Sequence, residues 1–318
     1  MWRLLCILLI GACSSEQGGT CRLQLVADLP VALTRNGLEV TARVNRVDTQ
    51  FVLDTGAERT TLTTGTVTSL LLARSKLTVS RLIGVGGAVN NADVFADLQL
   101  GTADFQQRFA VADIPRIGGL IGGDLLSNYD VEIDVPDHRV RLWRASTCGA
   151  NDLPWSGSRA TLPAHVTSGD RLVLAISLDG MPIDALLDSG SSISLLQTEA
   201  ARRIGEGAIS GDPAVLVYGI DGGSISVRIH RFKSMSVGQD QITSPKIGIG
   251  ETQLVSPEMI LGLDYLRDRR IWIGFRARKI FVQLAPSQGA PLSNEGLTPS
   301  ISAHTDQKRR RPFATIWG

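Results

Sequence analysis

The sequence predicts an all-β fold built as two similar lobes. Three observations carry this. The 318 residues include 33 glycines and many Val, Ile, Leu and Thr residues, a composition that favours strands and turns over long helices. One block is written twice, as Phe51-Val52-Leu53-Asp54-Thr55-Gly56-Ala57 and as Ala185-Leu186-Leu187-Asp188-Ser189-Gly190-Ser191, with the aspartates 134 residues apart. A hairpin turn precedes each block at that same offset, Asn45-Arg46 in one copy and Asp179-Gly180 in the other. An apolar run that ends in an acid and a tight glycine turn reads as a buried strand delivering a carboxylate to a defined place. Two such strands deliver two carboxylates to one place.

The elements follow in chain order. Leu38 to Val44 alternates apolar and polar residues, turns, and returns through Val47 to Asp54; Arg171 to Leu178 does the same and returns through Met181 to Asp188. A glycine-rich piece comes next in each copy, Ile83-Gly84-Val85-Gly86-Gly87 and Tyr218-Gly219-Ile220-Asp221-Gly222-Gly223. Such glycine density suits the tip of a mobile hairpin. It is not a phosphate loop, because no Gly-Lys-Ser/Thr and no helical pattern follows. Leu120-Ile121-Gly122-Gly123-Asp124 and Ile260-Leu261-Gly262-Leu263-Asp264 then match, with a brief helix expected at each acid. A final hairpin closes each copy, Val131–Val135 with Arg139–Trp143 and Ile271–Phe275 with Lys279–Leu284.

These signals divide the chain into a signal peptide (1–12), a tether (13–36), a first lobe (37–144), a linker (145–169), a second lobe (170–284) and a disordered tail (285–318). The tail carries Lys308-Arg309-Arg310-Arg311, read as a solvated charge run. The formal net charge of +1 gives no reason to expect nucleic acid as a partner.

At the N-terminus, Arg3 precedes the apolar run Leu4 to Ile10, which is too short to span a bilayer. Gly11-Ala12-Cys13 then resembles the lipobox of bacterial lipoproteins, which implies lipidation at Cys13 and anchoring in the cell envelope, facing the periplasm; an ordinary cleaved signal would instead make the protein secreted. Export permits disulfides. With Cys13 lipidated, Cys21 and Cys148 remain as a pair that brackets the first copy, and a bridge there would stabilise by roughly 4–5 kcal/mol in the chain-entropy model. Zinc is not expected, since no paired Cys or His spacing occurs.

The Asp-Thr-Gly-Ala block, the glycine-rich piece and the later apolar-apolar-glycine together resemble the aspartic peptidases. The form is closest to the retropepsin-like branch, here in tandem as in pepsin-like members. One Asp-Ser/Thr-Gly alone arises by chance in roughly one chain of this size in five; two copies with the same sequels are far more specific. The resemblance implies two β-barrel lobes with the active site between them, catalytic acids at Asp54 and Asp188, and hydroxyls of Thr55 and Ser189 that lock the two loops together. It implies that Gly56 and Gly190 admit the backbone close to the carboxylates, that Gly122 and Gly262 pack beneath the loops, and that Gly84, Val85, Gly86, Gly219, Ile220 and Gly222 belong to flaps. Tyr218 adjoins the second flap, whereas pepsin-like members carry a flap tyrosine in the first lobe.

The chemistry implied is amide hydrolysis without metal or cofactor. Two carboxylates held close share one proton; the charged member activates a water and the neutral member protonates the carbonyl oxygen. Ser191 offers a hydroxyl within reach of Asp188, where Ala57 offers none to Asp54, so Asp188 is expected to hold the charge more often. The substrate would be an extended polypeptide paired with the flaps as an added strand, and the protein a monomer. The alternative is a peptide-binding module that has the fold without turnover. A serine hydrolase is not expected, since the run Gly190-Ser191-Ser192-Ile193-Ser194 lacks the Gly-x-Ser-x-Gly spacing, and His138, His165, His230 and His304 are scattered.

Overall fold

The computed structural model describes residues 21–84, 87–146, 152–205, 211–218, 223–252, 257–283 and 314–315. Strands dominate them, and each of their helices is a turn or two long. The chain opens with β1 (Arg22–Thr34), in which Ala27, Leu29 and Val31 are buried between exposed neighbours. The hairpin β2 (Gly37–Val44) and β3 (Val47–Leu53) follows, turning on Asn45 (φ 47°) and Arg46 (φ 72°), as a primed two-residue turn requires. Burial alternates along β2, but Phe51, Val52 and Leu53 at the end of β3 are all buried, so this strand runs from the surface into the interior.

Next come β4 (Thr61–Thr63) and α1 (Thr64–Ser69), whose Thr66 N–H donates to the capping Thr63 hydroxyl at 3.1 Å. The long strands β5 (Arg74–Gly84), β6 (Gly87–Leu100) and β7 (Ala103–Ala112) are joined in sequence. β8 (Gly119–Ile121), α2 (Gly123–Leu126) and the hairpin β9 (Asp130–Asp134) with β10 (Arg139–Ser146) end the lobe. Pairing runs from β2 to β3, to β8, to β4, to β7, to β6 and back to β2, so the ladder closes on its starting strand.

The second lobe repeats this with β11 (Arg159–Val166), β12 (Leu172–Leu178), β13 (Met181–Leu187), β14 (Leu195–Gln197) and α3 (Thr198–Arg203). It continues through β15 (Ala214–Tyr218), β16 (Ser224–Arg231), β17 (Ser234–Val237), β18 (Asp240–Thr243) and β19 (Lys246–Gly250). It ends in β20 (Met259–Leu261), α4 (Leu263–Leu266), β21 (Arg270–Gly274) and β22 (Lys279–Gln283). The counterparts of β6 and β7 are each broken in two here. One break falls at Ser244 (φ 53°) and Pro245, whose ring removes a ladder donor.

Three strands from each lobe form one antiparallel sheet in the order β1, β10, β9, β21, β22, β11. Glu132 of β9 is fully buried within it. Its carboxylate accepts from Arg141 (3.1 Å), the indole N–H groups of Trp143 (2.9 Å) and Trp155 (3.3 Å), and Arg270 of the other lobe (2.8 Å from Nε). One apolar core runs continuously through both lobes and this sheet.

Two regions assigned outside the lobes by sequence are structural. The expected tether contains β1, and the expected linker contains β11; each is the edge strand of the shared sheet and also pairs with the first hairpin of its lobe. Pro30 and Pro163 interrupt what are otherwise alternating patterns, and both tolerate their place because the strands are edges. The signal peptide and most of the expected disordered tail lie outside the described residues; within that tail, Ala314–Thr315 form β23, parallel to Val217–Tyr218 of β15.

Candidate active site

The two duplicated strands deliver their acids in the same way. β3 runs parallel to β8 (Leu53 beside Ile121), and β13 runs parallel to β20 (Leu187 beside Leu261). The ladder extends one step further, with the amides of Asp54 and Asp188 donating to Ile121 and Leu261 carbonyls, each at 3.0 Å. Beyond that step both chains turn sharply. One carboxylate oxygen of Asp54 accepts from the Gly56 and Ala57 amides, both at 2.9 Å, and one of Asp188 accepts from Gly190 (2.8 Å) and Ser191 (3.0 Å).

The loops meet. The Thr55 hydroxyl donates to the Leu187 carbonyl (2.8 Å) and accepts from the Ser189 amide (3.0 Å). The Ser189 hydroxyl donates to the Leu53 carbonyl (2.8 Å) and accepts from the Thr55 amide (3.1 Å). All four residues are buried. Each glycine packs on the opposite acid: a Cβ on Gly56 would stand 2.5 Å from the Asp188 carboxyl carbon, and one on Gly190 would stand 2.5 Å from Asp54 Oδ2. The structure therefore brings Asp54 and Asp188 together, fully buried, with the Oδ2 of each lacking any other hydrogen-bond partner.

Burial raises both carboxyls above the usual carboxylate range. Asp54 is raised well above it, by burial first and then by the charge of Asp188, against the amides of Ala57 and Gly56. Asp188 is raised less, to about 7, because the Gly190 and Ser191 amides, a hydrogen bond with Asp54 and the Arg171 guanidinium oppose its burial. Two carboxyls placed so closely share a proton rather than ionise together.

The expected hydroxyl contact to Asp188 is not made. Ser191 Oγ donates to the Ile193 carbonyl at 2.7 Å, so its only hydroxyl hydrogen is spent within the turn, and it is the Ser191 amide that reaches the carboxylate. Of the expected flap residues, Gly84 ends β5 and is paired with Gly87 at the start of β6; Val85, Gly86, Gly219, Ile220 and Gly222 lie outside the described residues.

Thr60 and Ser194 are functional supports that sequence reading missed. Thr60 donates from its amide (2.7 Å) and hydroxyl (2.6 Å) to Asp124 and accepts from the Gly122 amide (3.1 Å). Ser194 donates in the same way to Asp264 (2.8 and 2.6 Å) and accepts from Gly262 (3.1 Å). Each ties its active loop to the glycine beneath it; Cβ atoms on Gly122 and Gly262 would collide with Arg59 and Ile193 backbone at 2.6 Å. A hydroxyl six residues after each aspartate was the available signal.

Comparisons with known proteins agree with this geometry. The family profile described as "Aspartyl protease" matches residues 40–125 and 174–265, one match per lobe. Among solved structures, the aspartic proteinase from Irpex lacteus superposes with a TM-score of 0.54 at 12% identity, covering 81% of this chain and 97% of that one. No curated protein matches the chain significantly. With more than half its length matched, and both matched segments carrying the paired loops, the chain belongs to the aspartyl protease family.

Proposed function

We propose that the protein is an aspartic endopeptidase that hydrolyses peptide bonds with a water activated between Asp54 and Asp188. The observation that carries this is the buried carboxyl pair, each member fixed through one oxygen by two amides and leaving the other oxygen without a donor. In that arrangement the ionised member takes a proton from water as the water oxygen bonds to the scissile carbonyl carbon. The neutral member gives its proton to the carbonyl oxygen. Collapse of the resulting diol breaks the C–N bond: the first acid protonates the leaving nitrogen, and the second recovers its proton from a diol hydroxyl. Water, amide and both carboxyls thus balance without metal or cofactor.

The substrate is an extended polypeptide lying between the lobes, with the hairpins β5–β6 and β15–β16 as its cover. Both lobes are present in one chain and share a sheet, which supports a monomer. Export and lipidation at Cys13 place it in the cell envelope. Cys21 is disulfide-bonded; Cys148, its expected partner, lies outside the described residues.

The test is cleavage of an unstructured protein from about pH 3 to pH 9 with and without a statyl-type inhibitor. Inhibitor-sensitive cleavage that disappears in Asp54→Asn and Asp188→Asn supports the enzyme. Tight peptide binding without cleavage at any pH makes the protein a binding module instead.

A further inference from the structure

The two carboxyls are related by the repeat, but their surroundings are not. In the second lobe the β12–β13 ladder pairs Val173 with Leu186 and Leu174 with Ala185, and the same register continued past its last pair puts Arg171 on the side of Asp188. In the first lobe the β2–β3 ladder ends with Glu39 opposite Val52, and the position equivalent to Arg171 is Gly37, where a Cβ would meet Val52 and the Ser189 and Gly190 carbonyls. One aspartate therefore has a guanidinium across its hairpin and the other has no side chain there.

Arg171 is also fixed from the opposite lobe. Its guanidinium lies 3.1 Å from Glu58, and it is mostly buried, with Nε lacking a hydrogen-bond partner. Glu58 lies over Gly169, where a Cβ would come within 2.5 Å of its carboxylate oxygen. A tight turn holds the backbone: Thr167 N–H donates to the Arg171 carbonyl (2.9 Å), and Arg171 N–H donates to the Thr167 hydroxyl (3.2 Å). The repeat places Ser192 and Gly37 where Glu58 and Arg171 stand, so this ion pair occurs on one side of the dyad only.

We propose that Arg171, held by Glu58, is a positioning residue that settles the dyad's single negative charge on Asp188, making Asp188 the base and Asp54 the proton carrier. The charged groups around Asp188 are Asp54 across the loop junction, Arg171 across the hairpin with Glu58 behind it, and Asp264 beneath Ser194. Asp170 precedes Arg171 in the chain and packs against Gly123, and Arg59, next to Glu58, pairs with Asp124. Arg171 is the cation among them, and its charge opposes the effect of burial on Asp188. The inference rests on the peptidase reading for its catalytic meaning but not for its measurement.

The test is a carbon-13 carboxyl NMR titration of wild type, Arg171→Gln and Arg171→Lys, with the pH profile of kcat/KM beside it. Loss of the charge in Arg171→Gln moves the dyad's lower ionisation upward by about 0.5–1 on the pH scale, less than the change of about 1–3 expected for a direct contact. Arg171→Lys keeps it close to wild type, and the acid limb of kcat/KM moves with the NMR value. An unchanged or lowered ionisation in Arg171→Gln overturns the proposal, as does a change of equal size in Arg171→Lys. Absence of cleavage by wild type would remove the peptidase reading, while the titration would still decide where the charge resides.

Discussion

Asp54 and Asp188 hold their geometry through backbone amides, so an isosteric amide at either position keeps the shape and removes the chemistry. Asp54→Asn and Asp188→Asn should each lower kcat/KM by at least about 10²–10⁴-fold while the melting curve still shows a folded protein. Their stability should also change with pH in a defined sense. An acid whose folded value is raised keeps its proton when the unfolded chain has lost it. Stability therefore falls as pH rises from near 4 toward 7, by about 1.4 kcal/mol per pH unit for each acid so raised, two in wild type and one in either variant. Urea unfolding at both ends of that window should show this slope in wild type and a smaller one in either variant. At the neighbouring positions, Ser189→Ala or Thr55→Ala deletes a hydroxyl that both donates and accepts across the loops and leaves a buried amide unpaired, at a cost of about 1–3 kcal/mol. Gly56→Ala drives a methyl into the Asp188 carboxyl and should abolish activity even where the chain folds, checked by turnover of the purified variant. The acids, hydroxyls and glycines were legible because each is written twice. The partner of the Ser191 hydroxyl was not, since a turn backbone offers a carbonyl nearer than the carboxylate.

Among the elements, the shared six-stranded sheet concentrates the interlobe energetics at Glu132. Removing its carboxylate in Glu132→Ala leaves two indole donors unmatched and leaves Arg141 to Asp28 and Asp137 and Arg270 to Asp134, for a loss of about 1–3 kcal/mol. Removing an exposed pair of the same type, Arg43 with Asp48, should cost no more than about 1 kcal/mol. Thermal denaturation of the two variants side by side distinguishes these cases. Hairpins were readable from alternation and turn residues, because each turn needs positive φ at two adjacent positions and the sequence supplies Asn45-Arg46 and Asp179-Gly180. The edge strands β1 and β11 were not read, although Ala27, Leu29 and Val31 alternate and so do Ala160, Leu162 and Ala164. A proline within each pattern argues for a break until the neighbouring strand is known.

For the whole molecule, the raised pair predicts an activity profile displaced from the ordinary carboxylate range. The single-proton form appears as Asp188 ionises, near 7, and persists until Asp54 loses its proton at higher pH, so kcat/KM should rise toward neutrality before it falls. A profile with its acid limb at ordinary carboxylate pH would show that the buried state described here is not the one that turns over. The sequence alone determined the duplication, the β class, the two acid-bearing turns and the glycines under them, since these depend on local pattern repeated at a fixed offset. Only the tertiary structure decided that the turns interlock, that six strands from both lobes fuse into one sheet, and that Arg171 pairs with Glu58 of the other lobe beside one aspartate only. Those facts depend on strand register and on contacts between residues more than a hundred positions apart, which no local periodicity encodes.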